Sequence, residues 1–191
     1  MELKLIDNKG DNTLENLISE KVTNHSKISI QTAAFSIFAF HALQKEIKRS
    51  KELRLILTKS FFEKEETSFL KRYEIAQNEE DISGNKYEIK LRNKMNTAFI
   101  ARETARLIEE KVKVHQLAPN QSALDELLIE NKDDEGSLVV PAMFKFTSDG
   151  LGITESNNVS SMTAINGAEP NYFAGVKADF DNVWNDPQKS K

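Results

Sequence analysis

Apolar positions along this chain recur with two periods, and the exchange between them predicts strands and helices in succession. Leu3 to Ile6 alternates charged and apolar side chains, the period of an edge strand. From Thr13 to Asn24 the apolar residues Leu14, Leu17, Ile18 and Val22 fall at helical spacing. Ile28 to Ala33 is rich in β-branched residues and reads as a buried strand. Ala34 to Arg49 predicts one helix with Phe35, Phe38, Ala42, Leu43 and Ile47 on its core face, and Leu53 to Thr58 predicts a further strand.

Strand, helix and strand with short joins make a βαβ unit, which implies a parallel pair and a right-handed crossover. Ser60 to Asn85 is charged and aperiodic, so an irregular excursion is expected there, with a short strand around Tyr73 to Ile75. A long helix follows from about Asn93 to Lys111, with Met95, Ala98, Ala105 and Ile108 toward the core, and then a strand from Val112 to His115. This second helix–strand pair supports an α/β sheet.

After Pro119 the pattern changes. Ala123 to Ile129 and Ser137 to Val140 flank the acidic turn Asn131 to Gly136 and predict a hairpin. Lys145 to Ile153 predicts a short strand or turn, and Pro170 to Trp184 a helix carrying Tyr172, Phe173, Val176, Phe180, Val183 and Trp184. Core packing is the plain reading of those aromatics, and docking against a following domain is the other. The chain is therefore expected to form one domain over 1–184, with 185–191 as a linker to a downstream region.

Composition narrows the chemistry. The 191 residues suffice for one domain with a core, and 29% charged against 39% hydrophobic residues reads as soluble and globular. The net charge of −4 advertises no general affinity for nucleic acid, so such a role rests on a local patch. No cysteine is present, which excludes disulfides, thiolate metal sites and a cysteine nucleophile and fits the cytoplasm. No apolar run approaches the ~20 residues of a membrane span.

The seven glycines form neither a phosphate-binding loop nor a dinucleotide fingerprint, and no nucleophile elbow is present. Of three histidines, His25 makes an isolated H-x-K with Lys27, without the following aspartate, before a strand. His41 reads as a core-edge residue and His115 as the end of a strand, and no metal-ligand spacing joins them. Lys45, Lys48, Arg49, Lys51 and Arg54 cluster near the end of one helix, where cations complement the helix dipole. Lys86, Lys90, Arg92 and Lys94 form a second cluster, and Arg102 and Arg106 follow at i,i+4. Glu103, Glu109 and Glu110 surround Arg106, as in ordinary surface pairing, whereas Lys90, Arg92 and Lys94 have fewer acids close by and are candidate phosphate contacts.

Several segments occur in one order along nearly the whole chain: Phe35 to Leu43, Glu52 to Thr58, Tyr87 to Met95, Ile100 to Thr104 and Phe180 to Asp186. As an ordered set they resemble the N-terminal phospholipase-D-like domain of bacterial Swi/Snf-like helicases, superfamily 2 proteins of the DEAD/DEAH-box kind. The resemblance implies an α/β fold with a mixed β-sheet flanked by helices. Active members of the wider phospholipase-D superfamily carry H-x-K-x-x-x-x-D, usually followed by G-S-x-N. The matching stretch here has Met143 where the nucleophilic histidine belongs, keeps Lys145, and brings Asp149 one residue early. Ser156 and Asn158 echo the later pair, with Glu155 where glycine is expected. In helicase-associated members the comparable stretch looks like G-F-T-T-x-D-L-G, which Phe146 to Gly152 fits better.

Without the histidine the family's covalent phospho-enzyme cannot form. The resemblance therefore implies a non-catalytic accessory domain of a DNA helicase or translocase, in a restriction or phage-defence setting. It would hold nucleic-acid backbone through Lys90, Arg92, Lys94, Arg102 and Lys145, or dock the motor core. ATP and Mg would belong to an absent motor domain, and no cofactor or metal is expected in this chain. The alternative is a divergent phosphodiesterase or nuclease acting as a homodimer, with Lys145 and Asp149 as remnants of its site.

Overall fold

The computed structural model describes residues 2–58, 86–119, 121–132, 136–142, 145–154 and 161–191, with the side chains of the 86–111 helix described from Ala98 onward. The expected excursion over Ser60 to Asn85, and Met143, Glu155, Ser156 and Asn158, lie outside these residues.

Seven strands form one sheet: β1 (Glu2–Ile6), β2 (Lys27–Thr32), β3 (Glu52–Leu57), β4 (Val112–Gln116), β5 (Glu126–Glu130), β6 (Leu138–Pro141) and β7 (Met162–Asn166). Their order is β1-β7-β6-β5-β2-β3-β4. β2, β3 and β4 run parallel, joined by helical crossovers, and the remaining neighbours pair antiparallel, so the sheet is mixed. The sequence did not announce β7. Its Met162–Asn166 run is short and has no β-branched cluster, and it is a strand because β1 and β6 pair with it on both sides.

Helices cover both faces. α1 (Leu14–Lys21), α2 (Ile37–Ala42), α3 (Gln44–Arg49) and α4 (Lys86–Lys111) lie on one side, over a core that includes Ile6, Ile30, Phe40, Leu55, Leu107, Leu127 and Val140. On the other side α5 (Pro170–Trp184) packs Phe180, with Phe173 and Val176, on Ile56, Leu128, Val139 and Ile165. The alternation of strand side chains across the sheet divides these two cores.

Two helical expectations are corrected. The single helix over Ala34 to Arg49 is α2 and α3, broken at Leu43, which leaves helical geometry (φ −86°, ψ 12°) while remaining buried. Ser36 caps α2 by accepting from Phe38 and Ala39 N–H groups, so Ala34 and Phe35 stay outside it. In α4, which begins at Lys86, Ala98 and Ala105 are exposed, while Thr104 and Leu107 face the core. Ile108 packs against that core as expected.

Residues 185–191, expected as a linker, fold back on the outer edge of β4. Gln116 and Lys191 exchange backbone hydrogen bonds, and Ala118 N–H donates to Lys189 C=O. Among the described residues no helix is long and apolar enough to cross a membrane.

Candidate functional site

Chain direction across the sheet reverses at β2. From β2 the chain runs outward through β3 and β4, then returns to β5 on the other side of β2. Such a switch point opens a crevice beyond the carboxyl end of the strand, the usual ligand position in α/β sheets. Here the crevice is bordered by residues 32–36 after β2, by Asp125 and Glu126 at the start of β5, and by the segment after β6.

That segment is Lys145 to Gly152. Phe146 lies beside Phe35 as an isolated bridge, with Ser36 N–H donating to Phe146 C=O (2.8 Å) and Phe146 N–H to Ala34 C=O (3.2 Å). The Phe35 and Phe146 rings stack at 5.4 Å, and Phe146 also meets Phe40 edge-on. Thr147 Oγ1 donates to Asp149 Oδ1 (2.5 Å) and accepts from Gly150 N–H. Asn8 Nδ2 bonds the carbonyls of Asp149 and Gly150, and Glu15 N–H bonds that of Leu151. Phe146 and Leu151 are buried. The motif resembling F-T-T-x-D-L-G is thus a folded turn that pins the crevice rim to the β1–α1 connection.

Within it Lys145 is exposed at the rim, while Asp149 is half-buried and engaged by Thr147. From Lys145 to Asp149 the chain forms a bridge and a turn. The three histidines are elsewhere. His25 is in the turn before the amino end of β2, His41 is on α2, and His115 stacks on Trp184 beneath α5 (3.8 Å between ring centroids). Among the described residues no group of three His, Asp or Glu side chains gathers as a metal-binding cluster.

Arg102 is exposed on α4. Lys90, Arg92 and Lys94 fall in the amino-terminal half of the same helix, their side chains outside the described set. α4 ends where β4 begins, and its length of about 39 Å exceeds that of the strands. Its first half therefore lies toward the carboxyl ends of the strands, on the crevice side.

Two acidic residues that the sequence did not single out stand at the start of β5: Asp125 beside Ala33, and Glu126 on the face that carries α5. Asp125 Oδ1 accepts from Ala33 N–H at 2.7 Å. Glu126 stands opposite Gln31 in the β2–β5 ladder, and burial, aided by Asp179 of α5, pushes its carboxyl up to about 7. Gln31 is buried; its Nε2 donates to Leu124 C=O (2.6 Å), and its Oε1 has no donor among the described residues.

The folded state therefore holds the Glu126 proton more tightly than the unfolded chain does. Its contribution is complete below about pH 4.5 and is lost as pH rises to about 7. Partial exposure screens the effect to on the order of 1–2 kcal/mol. Glu126→Gln should flatten this loss and raise stability at pH 8; urea unfolding at pH 5 and pH 8 checks it, and equal pH dependence in both proteins would sink the assignment.

A second cluster escaped the sequence reading because Arg54 passed for part of the surface cation group. Arg54 lies on β3 beneath α5. Its Nη1 bonds Asp181 Oδ1 (2.6 Å), and its Nε and Nη2 reach Ser29 Oγ (3.2 and 2.9 Å). Its guanidinium covers the Phe180 ring at 4.8 Å and the Trp184 ring at 5.5 Å. Ser190 Oγ donates to Val183 C=O, so His115 Nδ1 is the donor in its 3.2 Å contact with Ser190. Burial lowers the His115 pKa, disfavouring the charged form of the stacked imidazole.

No family model matches the chain, and no curated protein does. Solved structures do resemble it. Polyphosphate kinase from Porphyromonas gingivalis superposes over 100% of this chain with a TM-score of 0.56 and 11% identity, and the chain spans 23% of that protein. NucT from Helicobacter pylori superposes with a TM-score of 0.51 and 12% identity over 96% of both chains. At these identities the likeness is one of fold, a phospholipase-D-like mixed sheet flanked by helices.

Proposed function

We propose that this chain is a non-catalytic domain on a phospholipase-D-like scaffold, one that holds nucleic-acid backbone or docks a motor core without cleaving phosphodiesters. The observation that carries this reading is the carboxyl end of β2: Lys145 is exposed beside it, Asp125 borders it, and all three histidines lie elsewhere. A phospho-histidine step has no nucleophile there. The helicase or translocase setting rests on the ordered segments from Phe35 to Asp186. Lys145 on the rim, and the α4 half bearing Lys90, Arg92 and Lys94 on the same side, support a backbone-binding role.

Incubation with bis(p-nitrophenyl) phosphate and with labelled single- and double-stranded DNA, in EDTA, is expected to give no cleavage. Anisotropy titration at two salt concentrations is expected to show salt-sensitive binding. Charge reversal of Arg92 and Lys94 together should weaken that binding and reduce its salt slope. Unchanged binding would remove those two residues from the interface, and no binding at low salt would leave docking to a protein. Metal-free cleavage abolished by Lys145→Ala would instead establish the alternative, a divergent phosphodiesterase of the same fold.

A further inference from the structure

β1 closes one edge of the sheet, and among the described residues it pairs with β7 alone. Leu3 and Leu5 are 64% and 63% exposed on it, on the face that carries α5, because α5 covers Ile56, Leu128, Val139 and Ile165 and leaves the β1 end open. Glu2, Lys4 and Ile6 alternate to the opposite face, where Ile6 is buried.

The direction of the backbone groups follows from the neighbouring strand. Gly167 N–H donates to Ser137 C=O on the β6 side, so alternation turns Ile165 toward β6, and Asn166, Ala164 and Met162 toward β1. Their partners Glu2, Lys4 and Ile6 therefore bond β7, and Leu3 and Leu5 turn their N–H and C=O groups outward. Asn12 Nδ2 caps the Leu5 carbonyl at 3.0 Å. Among the described residues Leu3 has no partner for either backbone group, so both can meet another strand.

We infer that this edge is a self-association surface, on which a second copy adds its own β1 antiparallel across a two-fold axis at Leu3. A two-fold axis normal to the sheet keeps like faces together, so only registers that oppose residues of equal parity are allowed. Centring on Lys4 opposes two ammonium groups, and centring on Glu2 opposes two carboxylates. Centring on Leu3 opposes Glu2 with the partner's Lys4 twice, joins the two Leu3 N–H and C=O groups, and sets the two exposed Leu3 side chains side by side. Asn166 Nδ2 of β7 donates to the Glu2 carboxylate at 3.1 Å, on the same face of the sheet as that pair. An interface this short makes a weak, concentration-dependent dimer. This surface is on the opposite edge of the sheet from β4 and does not depend on the nucleic-acid reading.

Sedimentation equilibrium over a wide concentration range tests it. The wild-type chain should dimerise; Glu2→Lys or Lys4→Glu alone should weaken the dimer by about tenfold or more, and the two together should restore it. Leu3→Glu should abolish it, with far-UV circular dichroism showing each variant folded. A wild-type chain monomeric throughout, or a dimer indifferent to these charges, would overturn the inference.

Discussion

Arg54→Ala is expected to lower the unfolding free energy by about 3 kcal/mol, in the range found when one partner of a largely buried ion pair is removed. The Arg54 side chain is only 15% exposed. Its removal leaves Asp181 without its 2.6 Å partner and deprives Ser29 Oγ of two donors. It also opens space beside Phe180 and Trp184, which pack on the guanidinium and its stem. Arg54→Lys should recover little, because an ammonium has neither the fork that reaches Asp181 and Ser29 together nor the plane that covers two rings. Arg54→Met with Asp181→Asn should recover more, since it removes the buried charge and keeps the apolar stem. Urea unfolding followed by Trp184 fluorescence measures all of these; a loss below about 1 kcal/mol for Arg54→Ala would show that α5 is held by its apolar contacts alone.

The same residue shows where the sequence was legible and where it was not. The β-branched run at Ile28 and the apolar alternation at Leu53 predicted β2 and β3, because their periods are local and a parallel pair follows from the short helical crossover. Arg54 stands within that alternation, three residues after Lys51, so nothing local separates a surface cation from one bonded to a helix residue 127 positions later. The tail was illegible for the same reason: Ser190 and Lys191 acquire strand-like bonds only because β4 offers its edge to them. The break at Leu43 does not interrupt the apolar pattern, since Leu43 stays buried through it.

In the candidate site, the sequence located the right segment, but geometry gave its residues other work. Thr147, Asp149 and Gly150 bond one another within a turn, and Phe146 and Leu151 fill the core on either side. Asp125 and Glu126 could not be singled out, because their surroundings depend on Ala33 and on Gln31 of β2, more than ninety residues earlier.

Two identical substitutions of glycine should therefore have opposite signs. At Gly150 an added Cβ would stand 2.3 Å from the Lys145 carbonyl oxygen, 2.9 Å from Thr147 Oγ1 and 3.0 Å from Lys145 Cβ. The first of these is backbone, so relief requires the turn to open. Opening it strains the packing of Phe146 on Phe35 and Phe40, and of Leu151 in the core. Gly150→Ala is expected to cost about 3 kcal/mol, the upper part of the overpacking range, and to loosen the rim that carries Lys145. At Gly175, within α5, the added methyl meets nothing within 4 Å, and alanine is the better helix former. Gly175→Ala should stabilise by roughly 0.5–1 kcal/mol. Thermal unfolding of both variants beside the wild-type chain decides it. A Gly150→Ala protein as stable as wild type would mean that the turn relaxes without undocking its two apolar anchors, and its part in holding the crevice rim would be lost with it.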